Sequence, residues 1–396
     1  MSGGVTTPRG FRAAGVSAGI KANNGLDLAL IVSDAPAAAA AVFTLNKAQA
    51  APVLVSKAHL AASRGTARAI VVNSGCANAC TGDAGLQAAR EMASDTAAAI
   101  GCPVDQVLVA STGVIGVALP MDKIHRGIPV AFKALAADQG AAAARAIMTT
   151  DPFPKEAATS VTTSGRTFAI GGTAKGSGMI EPMMATMLAF VTTDASVPAA
   201  LLDRALREAV DDTFNAITVD GDSSTNDCVF LLASGASGVT VDERTYSAFV
   251  TGLRDVCREL ALGIVRGGEG ATKLVTVTVT GAASAAEARR CAKAIGNSLL
   301  VKTAIHGGDP NWGRLIAVAG RAGVAFDQAR AKVTIGSIVL FKDGAPHDEN
   351  APAAAEYLKG NELAVGVDLG AGSASSTVWT CDLSAEYVRI NADYRT

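Results

Sequence analysis

Repeatedly in this chain, a short apolar segment runs straight into a loop of glycine, asparagine, aspartate, serine and threonine. Residues 69–72 (AIVV) empty into NSGCANACTG at 73–82, and 107–110 (VLVA) into STGVIG at 111–116. The strand-prone stretch 228–233 (CVFLLA) follows the polar run VDGDSSTND at 219–227. Apolar runs of this length read as buried strands, and polar loops at their ends are where α/β proteins collect their sites. Between them lie amphipathic segments of helical period at about 84–100, 139–147, 198–212 and 242–265, and a further one at 121–137 that Gly127 and Pro129 interrupt. At 274–281, Val275, Val277 and Val279 alternate with Thr276, Thr278 and Thr280, the pattern of a half-buried strand. Strands are also predicted at 26–32, 42–44, 161–171 (as a pair turning at Ser164-Gly165), 187–191, 332–341, 362–369, 376–383 and finally 387–396. The class is α/β, with mixed β-sheets flanked by helices.

The chain has 396 residues, more than one ordinary core holds. Its formal net charge is −2 and no Lys/Arg run occurs, which argues against a nucleic-acid footprint. No apolar run approaches the ~18 residues of a membrane helix, and residues 1–15 lack the charged-then-apolar pattern of a signal peptide. The 7 cysteines form no CxxC pair and have no histidine-rich neighbourhood, so they are expected to be reduced and packed as small hydrophobes in a cytoplasmic protein, with no metal bound. Only 4 histidines are present, none in a G-x-S-x-G setting, which leaves a Ser-His-Asp hydrolase without its base. His306, beside Gly307, is assigned to packing.

The middle of the chain carries the most informative stretch, KGSGMIEPMMATMLAFVTTD at 175–194. A glycine-rich segment leads through a proline and a methionine pair into the apolar run at 187–191, placing Thr186 at a loop-to-strand junction. A threonine there either fills a strand start or, if its own peptide bond is cut, becomes a nucleophile with its freed α-amine beside its hydroxyl.

Taken together, TTDPFPK, KGSGMIEPMMATMLAFVTTDA, VDGDSSTNDCV, GEGATK, VKTAIHGGDPNWGR and the final NADYRT, with NSGCANACTG, STGVIG and LPMDKI, resemble the glutamate N-acetyltransferase / ornithine acetyltransferase family of arginine biosynthesis. The resemblance runs in order from about Gly10 to the C-terminus. It implies a self-processing enzyme of the N-terminal-nucleophile type, with the ornithine acetyltransferase / aminopeptidase-like fold. The cut would fall between Ala185 and Thr186, giving chains 1–185 and 186–396 that stay together and pair again as α2β2. Thr186 would accept acetyl from N2-acetylornithine and pass it to glutamate in ping-pong fashion. No cofactor is implied, although acetyl-CoA is a substrate for some members.

By the same resemblance, Thr112 and Gly113 form the oxyanion hole, Lys175 and Thr149 bind the substrate carboxylate, Glu269 receives the amine, and Asn391 and Thr396 complete the contacts. Thr150, adjacent to Thr149, competes for that assignment. Many relatives carry aspartate at the position of Gly267, and its absence here removes a charge near the expected amine site. The rival readings are an N-terminal-nucleophile aminopeptidase or amidase, which typically exposes serine at the cut, and a non-catalytic scaffold.

Overall fold

The structure is a computed structural model, which describes residues 3–163, 165–181 and 187–393. The elements of the first half run β1 (Phe11–Val16), β2 (Leu28–Phe43), α1 (Ala51–Ala62), β3 (Thr66–Cys76), α2 (Gly82–Ile100), β4 (Val107–Val114), α3 (Met121–Lys133), α4 (Gly140–Ala146), β5 (Lys155–Thr163) and β6 (Arg166–Lys175). Then come β7 (Leu188–Thr193), α5 (Ala199–Asp211), β8 (Cys228–Ala233), α6 (Tyr246–Arg266), β9 (Leu274–Ala282), α7 (Ala285–Gly296), α8 (Leu299–Gly307) and α9 (Trp312–Arg321). The chain closes with β10 (Lys332–Ile335), β11 (Ile338–Lys342), β12 (Ala345–Pro346), α10 (Ala351–Tyr357), β13 (Glu362–Asp368), β14 (Ala374–Cys381) and α11 (Ala385–Asp393).

Two mixed sheets result, as the sequence pattern predicts. The larger runs β4-β3-β2-β8-β7-β6-β5 with β1 also on β2, and the smaller runs β12-β11-β10-β13-β9-β14. In the larger sheet β3 and β4 are parallel, as are β7 and β8, and the other pairings are antiparallel. Helices α5 and α6 cover one face of the larger sheet, burying Leu202, Leu206, Phe249, Leu253 and Leu260 against Ile170, Val191 and Leu231. The predicted alternation in β9 is realised: Val275, Val277 and Val279 are buried in the core of the smaller sheet, and the threonines between them are half-buried. Cys76, Cys228, Cys257, Cys291 and Cys381 are buried and free. Among the described residues no helix is long and apolar enough to cross a membrane.

Several elements differ from the sequence reading. The strands expected at 26–32 and 42–44 are one strand, β2, which carries Pro36 across a register irregularity between Val32 and Ala37. Proline lacks the ladder N–H, and a bulge is where a strand tolerates it. Helix α3 continues through Gly127 and Pro129. Gly127 has a packing reason, because a Cβ there would meet Leu28 Cδ2 at 2.8 Å. The polar loops after 72 and 110 begin later than expected, since β3 and β4 stay paired as far as Cys76 and Val114. The expected strand at 332–341 is a hairpin, β10 and β11. The expected terminal strand at 387–396 is instead the helix α11 over its described part. Tyr387 and Asn391, four residues apart on this helix, face the same side.

Candidate active site

A cavity of about 220 Å³ lies at one end of the larger sheet. β4 and β6 end there, β7 and β8 begin there, and the chain after α6 returns to it. Its wall includes Thr112 and Gly113 from β4, Lys175 from β6, Glu269 from beyond α6 and Asn391 from α11. Residues far apart in the sequence and singled out from it therefore converge. Thr149 and Thr150 both line the cavity. Ala185, Thr186 and Thr396 lie outside the described residues.

At the β4 end, Lys175 Nζ donates to Thr112 Oγ1 at 3.2 Å. Gly113 has φ +128°, and a Cβ on it would stand 2.4 Å from the Gly75 carbonyl carbon. Only glycine fits this close approach of parallel strands. Asn226 fixes the end of the sheet, its Nδ2 donating to Ala77 O at 2.6 Å and Ser111 O at 2.9 Å.

Lys175 is backed by a buried charge cluster. Asp151 Oδ1 accepts from Lys155 Nζ at 2.6 Å and Gly176 N at 2.7 Å, and its Oδ2 accepts from Thr149 N at 3.0 Å. Burial alone would raise the Asp151 carboxyl, but the nearby Lys175 and Lys155 outweigh it and hold the group down at about 2. Burial lowers the Lys155 ammonium, opposed by Asp151. Gly267 belongs to this cluster rather than to the amine site, since a Cβ there would lie 3.2 Å from Lys155 Nζ. The missing aspartate thus bears on Lys155, a correction to the position inferred from sequence.

Glu269 forms the other pole. It is 7% exposed, and its Oε1 accepts from Thr150 Oγ1 at 2.7 Å and its Oε2 from Asn391 Nδ2 at 2.8 Å. Thr150 also bonds Ser177 Oγ at 2.6 Å. A Cβ on Gly178 would stand 2.4 Å from Glu269 Oε2, so the glycine admits this carboxylate. The structure separates the two threonines: Thr150 orients Glu269 through its hydroxyl, and Thr149 is fixed through its backbone by Asp151.

Sequence reasoning did not single out Asp220, Tyr387 or Asp227, all of which line the cavity. Asp220 accepts from Met179 N at 2.7 Å, Ile180 N at 2.8 Å and the Tyr387 hydroxyl at 3.2 Å. Met179, at φ 56°, sits in the left-handed region that side chains other than glycine seldom occupy. Burial and then Asp220 push the Tyr387 phenol up. The signal for the two aspartates was the run VDGDSSTND, which carried the resemblance without marking any one residue. His306, assigned to packing, donates from Nδ1 to Oδ2 of buried Asp382 at 2.7 Å, outside the cavity.

The ArgJ family profile matches residues 12–396. The chain belongs to the ArgJ family. It is 49% identical over 401 residues to the "arginine biosynthesis bifunctional protein ArgJ" of Symbiobacterium thermophilum, covering 100% of this chain and 99% of that protein. It is 51% identical over 392 residues to the protein of the same name from Geobacter sulfurreducens, covering 98% of this chain and 99% of that one. The crystal structure of the ArgJ protein from Bacillus halodurans is similar at a TM-score of 0.50 with 44% identity, covering 52% of this chain and 98% of that chain. The resemblance read from the motifs is thus a family membership spanning nearly the whole ArgJ-type chain, and the assignment to the enzymes of arginine biosynthesis holds with it.

Proposed function

We propose that this chain moves the acetyl group of N2-acetylornithine to glutamate through an acetyl ester on Thr186. The observation that carries the reading is the convergence of Thr112, Gly113, Lys175, Glu269 and Asn391 on one cavity. A cationic pole at Lys175 and an anionic pole at Glu269 suit a substrate with an α-carboxylate and an ammonium group, and family membership supplies the acetyl transfer. Thr112 Oγ1 and the Gly113 N–H serve as the oxyanion hole, and one such donor typically contributes about 3 kcal/mol. Lys175 and Thr149 hold the carboxylate. Glu269, oriented by Thr150 and Asn391, receives the side-chain ammonium, and Thr396 completes the contacts.

Thr186 gains its base by self-cleavage. Its Oγ attacks the Ala185 carbonyl, the acyl group shifts from nitrogen to oxygen, and water cleaves the ester. The new α-amine, with an ordinary pKa near ~8, takes the hydroxyl proton in each acetyl transfer. The products are chains 1–185 and 186–396, which remain together and pair as α2β2 in the cytoplasm. No cofactor is needed, and acetyl-CoA is a candidate second acetyl donor.

The test has two stages. Intact mass under denaturing conditions should give two chains for the wild type and one for Thr186→Ala. Isotope-labelled acetylornithine should then yield labelled N-acetylglutamate when glutamate is present. A wild type that stays uncut overturns the mechanism, and release of free acetate with glutamate unlabelled turns the reading to hydrolysis.

A further inference from the structure

Asp220 and Glu269 both line the cavity, and their carboxylates are partnered differently. An ionised carboxylate offers about four acceptor sites. At Asp220, Oδ1 accepts from Ile180 N at 2.8 Å and Asp222 N at 3.3 Å, and Oδ2 from Met179 N at 2.7 Å and the Tyr387 hydroxyl at 3.2 Å. These donors fill it. Glu269 accepts from Thr150 Oγ1 on one oxygen and Asn391 Nδ2 on the other, which among the described residues leaves each oxygen a site for a ligand. The first acid is occupied in holding protein, and the second is open to a cation.

What Asp220 holds is the turn against which Glu269 rests. Ser177 O accepts from Glu269 N at 2.8 Å, and Ser177 Oγ bonds the Thr150 hydroxyl that orients the carboxylate. At the next residue, a Cβ on Gly178 would stand 2.4 Å from Glu269 Oε2 and 2.9 Å from Oε1, so the carboxylate lies directly on the turn. Met179 follows at φ 56°, a conformation costly for a residue with a Cβ. Its N–H and that of Ile180 are the two backbone groups that Asp220 accepts. Val219 N and Thr218 Oγ1 hold Ile180 O from the same side, at 2.8 Å and 3.1 Å. A strained turn persists where its surroundings over-determine it. A second arm leaves the same carboxylate through α11, a helix with no buried residue, on which Tyr387 grips Asp220 and Asn391 grips Glu269. Both arms start at Asp220 and end at Glu269.

We infer that Asp220 is a positioning residue for the ammonium subsite: it holds Met179 in the left-handed conformation and α11 in place, and so sets Glu269 for the side-chain cation of acetylornithine. This rests on the reading of Glu269 as the partner of that ammonium. Asp220 does not take the cation itself, because its acceptor sites are filled. It acts on one substrate of the two. Glutamate brings no cation to Glu269, so a displaced Glu269 handicaps acetylornithine alone.

The experiment measures kcat/KM separately for acetylornithine and for glutamate, per cut chain counted by intact mass. The proteins are wild type, Asp220→Asn, Met179→Gly, the double variant, Tyr387→Phe and Glu269→Gln. In ping-pong transfer each value reports its own half-reaction. Asparagine keeps the size of the side chain but turns an amide NH₂ toward one of the backbone N–H groups. Asp220→Asn is expected to lower kcat/KM for acetylornithine about tenfold, the scale of a lost hydrogen bond to a charged group, and that for glutamate by less than about twofold. A general loss of structure would lower both alike. Glycine takes φ 56° without strain. In the Met179→Gly background, the Asp220→Asn change is therefore expected to cost less than about threefold, which is coupling between the two positions. Unchanged values, equal losses for both substrates, or a full cost that persists in the Met179→Gly background overturn the inference. Where Asp220→Asn does not fold or stays uncut, Tyr387→Phe decides, because it withdraws one donor from the outside. A selective loss of about threefold for acetylornithine then supports the inference, and no selective loss overturns it. Glu269→Gln tests the reading beneath: if it uses acetylornithine as well as wild type does, the ammonium subsite lies elsewhere, and that reading falls whatever the Asp220 variants show.

Discussion

Replacing Asp151 by asparagine isolates the contribution of the charge cluster behind the cavity. The side chains of Asp151 and Lys155 are 0% and 1% exposed and 2.6 Å apart. The carboxyl sits at about 2 against an ordinary 3.8. At ~1.4 kcal/mol per unit, that gap corresponds to a contribution on the order of 2–3 kcal/mol. Breaking a buried pair by removing one partner costs ~3–5 kcal/mol, because the other charge stays behind, and here Lys155 would be left with Lys175 nearby. Asp151→Asn is therefore expected to lose about 3 kcal/mol at pH 7, measured by urea denaturation with circular dichroism. The folded-state pKa is depressed, so the stabilisation is fully present above about 4 and is lost as pH falls through about 2. The gap between variant and wild type should accordingly be the same at pH 7 and pH 5 and shrink below pH 4. Asp151→Asn/Lys155→Met, which removes both charges, should recover part of the loss. A loss under ~1 kcal/mol at pH 7, or a gap unchanged down to pH 3, would refute the reasoning.

Other positions test other parts of the site. Gly113→Ala forces a Cβ to 2.4 Å from the Gly75 carbonyl carbon at φ +128°, and acetyl transfer should fall by at least about 10²-fold in kcat, the scale of a lost oxyanion donor. Thr150→Val removes the hydroxyl that orients Glu269; KM for acetylornithine should rise by about tenfold, the scale of one hydrogen bond to a charged group, with the melting temperature little changed. Gly267→Asp, at φ −91° and facing Lys155 Nζ, should leave KM within about twofold and stability unchanged or up to ~1 kcal/mol higher; a large rise in KM would return this position to the amine site.

Which residues gather at the site was legible from motif content. How they gather was not, because it depends on long-range pairing. Lys175 and Glu269 are both buried, since β6 ends and α6 is followed by its glycine turn at the same sheet end. The alternation in β9 was decisive because a sheet with one buried face writes itself into every second residue. The last stretch misled for the opposite reason. α11 has no buried residue, so no hydrophobic period marked it as a helix, and its place is set by polar contacts of Tyr387 and Asn391. Thr149 and Thr150 are adjacent and chemically alike, and only the direction of a side chain separates their roles.

The distribution of charge around the cavity narrows the class of substrate further than the motifs do. Lys155 and Asp151 pair with each other, and the nearby Lys175 supplies a cation at the wall, where its Nζ meets Thr112 Oγ1. Glu269 supplies an anion whose two oxygens are already oriented by neutral donors, Thr150 and Asn391, with no lysine or arginine paired to it among the described residues. An acid oriented by neutral groups keeps its charge available for an incoming cation, whereas an ion-paired one would have to give up its partner first. Under the function proposed above, the two poles suit a small molecule carrying both signs of charge. On this reasoning, neutralising Glu269 should weaken ornithine-type substrates far more than glutamate, whose side chain carries no cation.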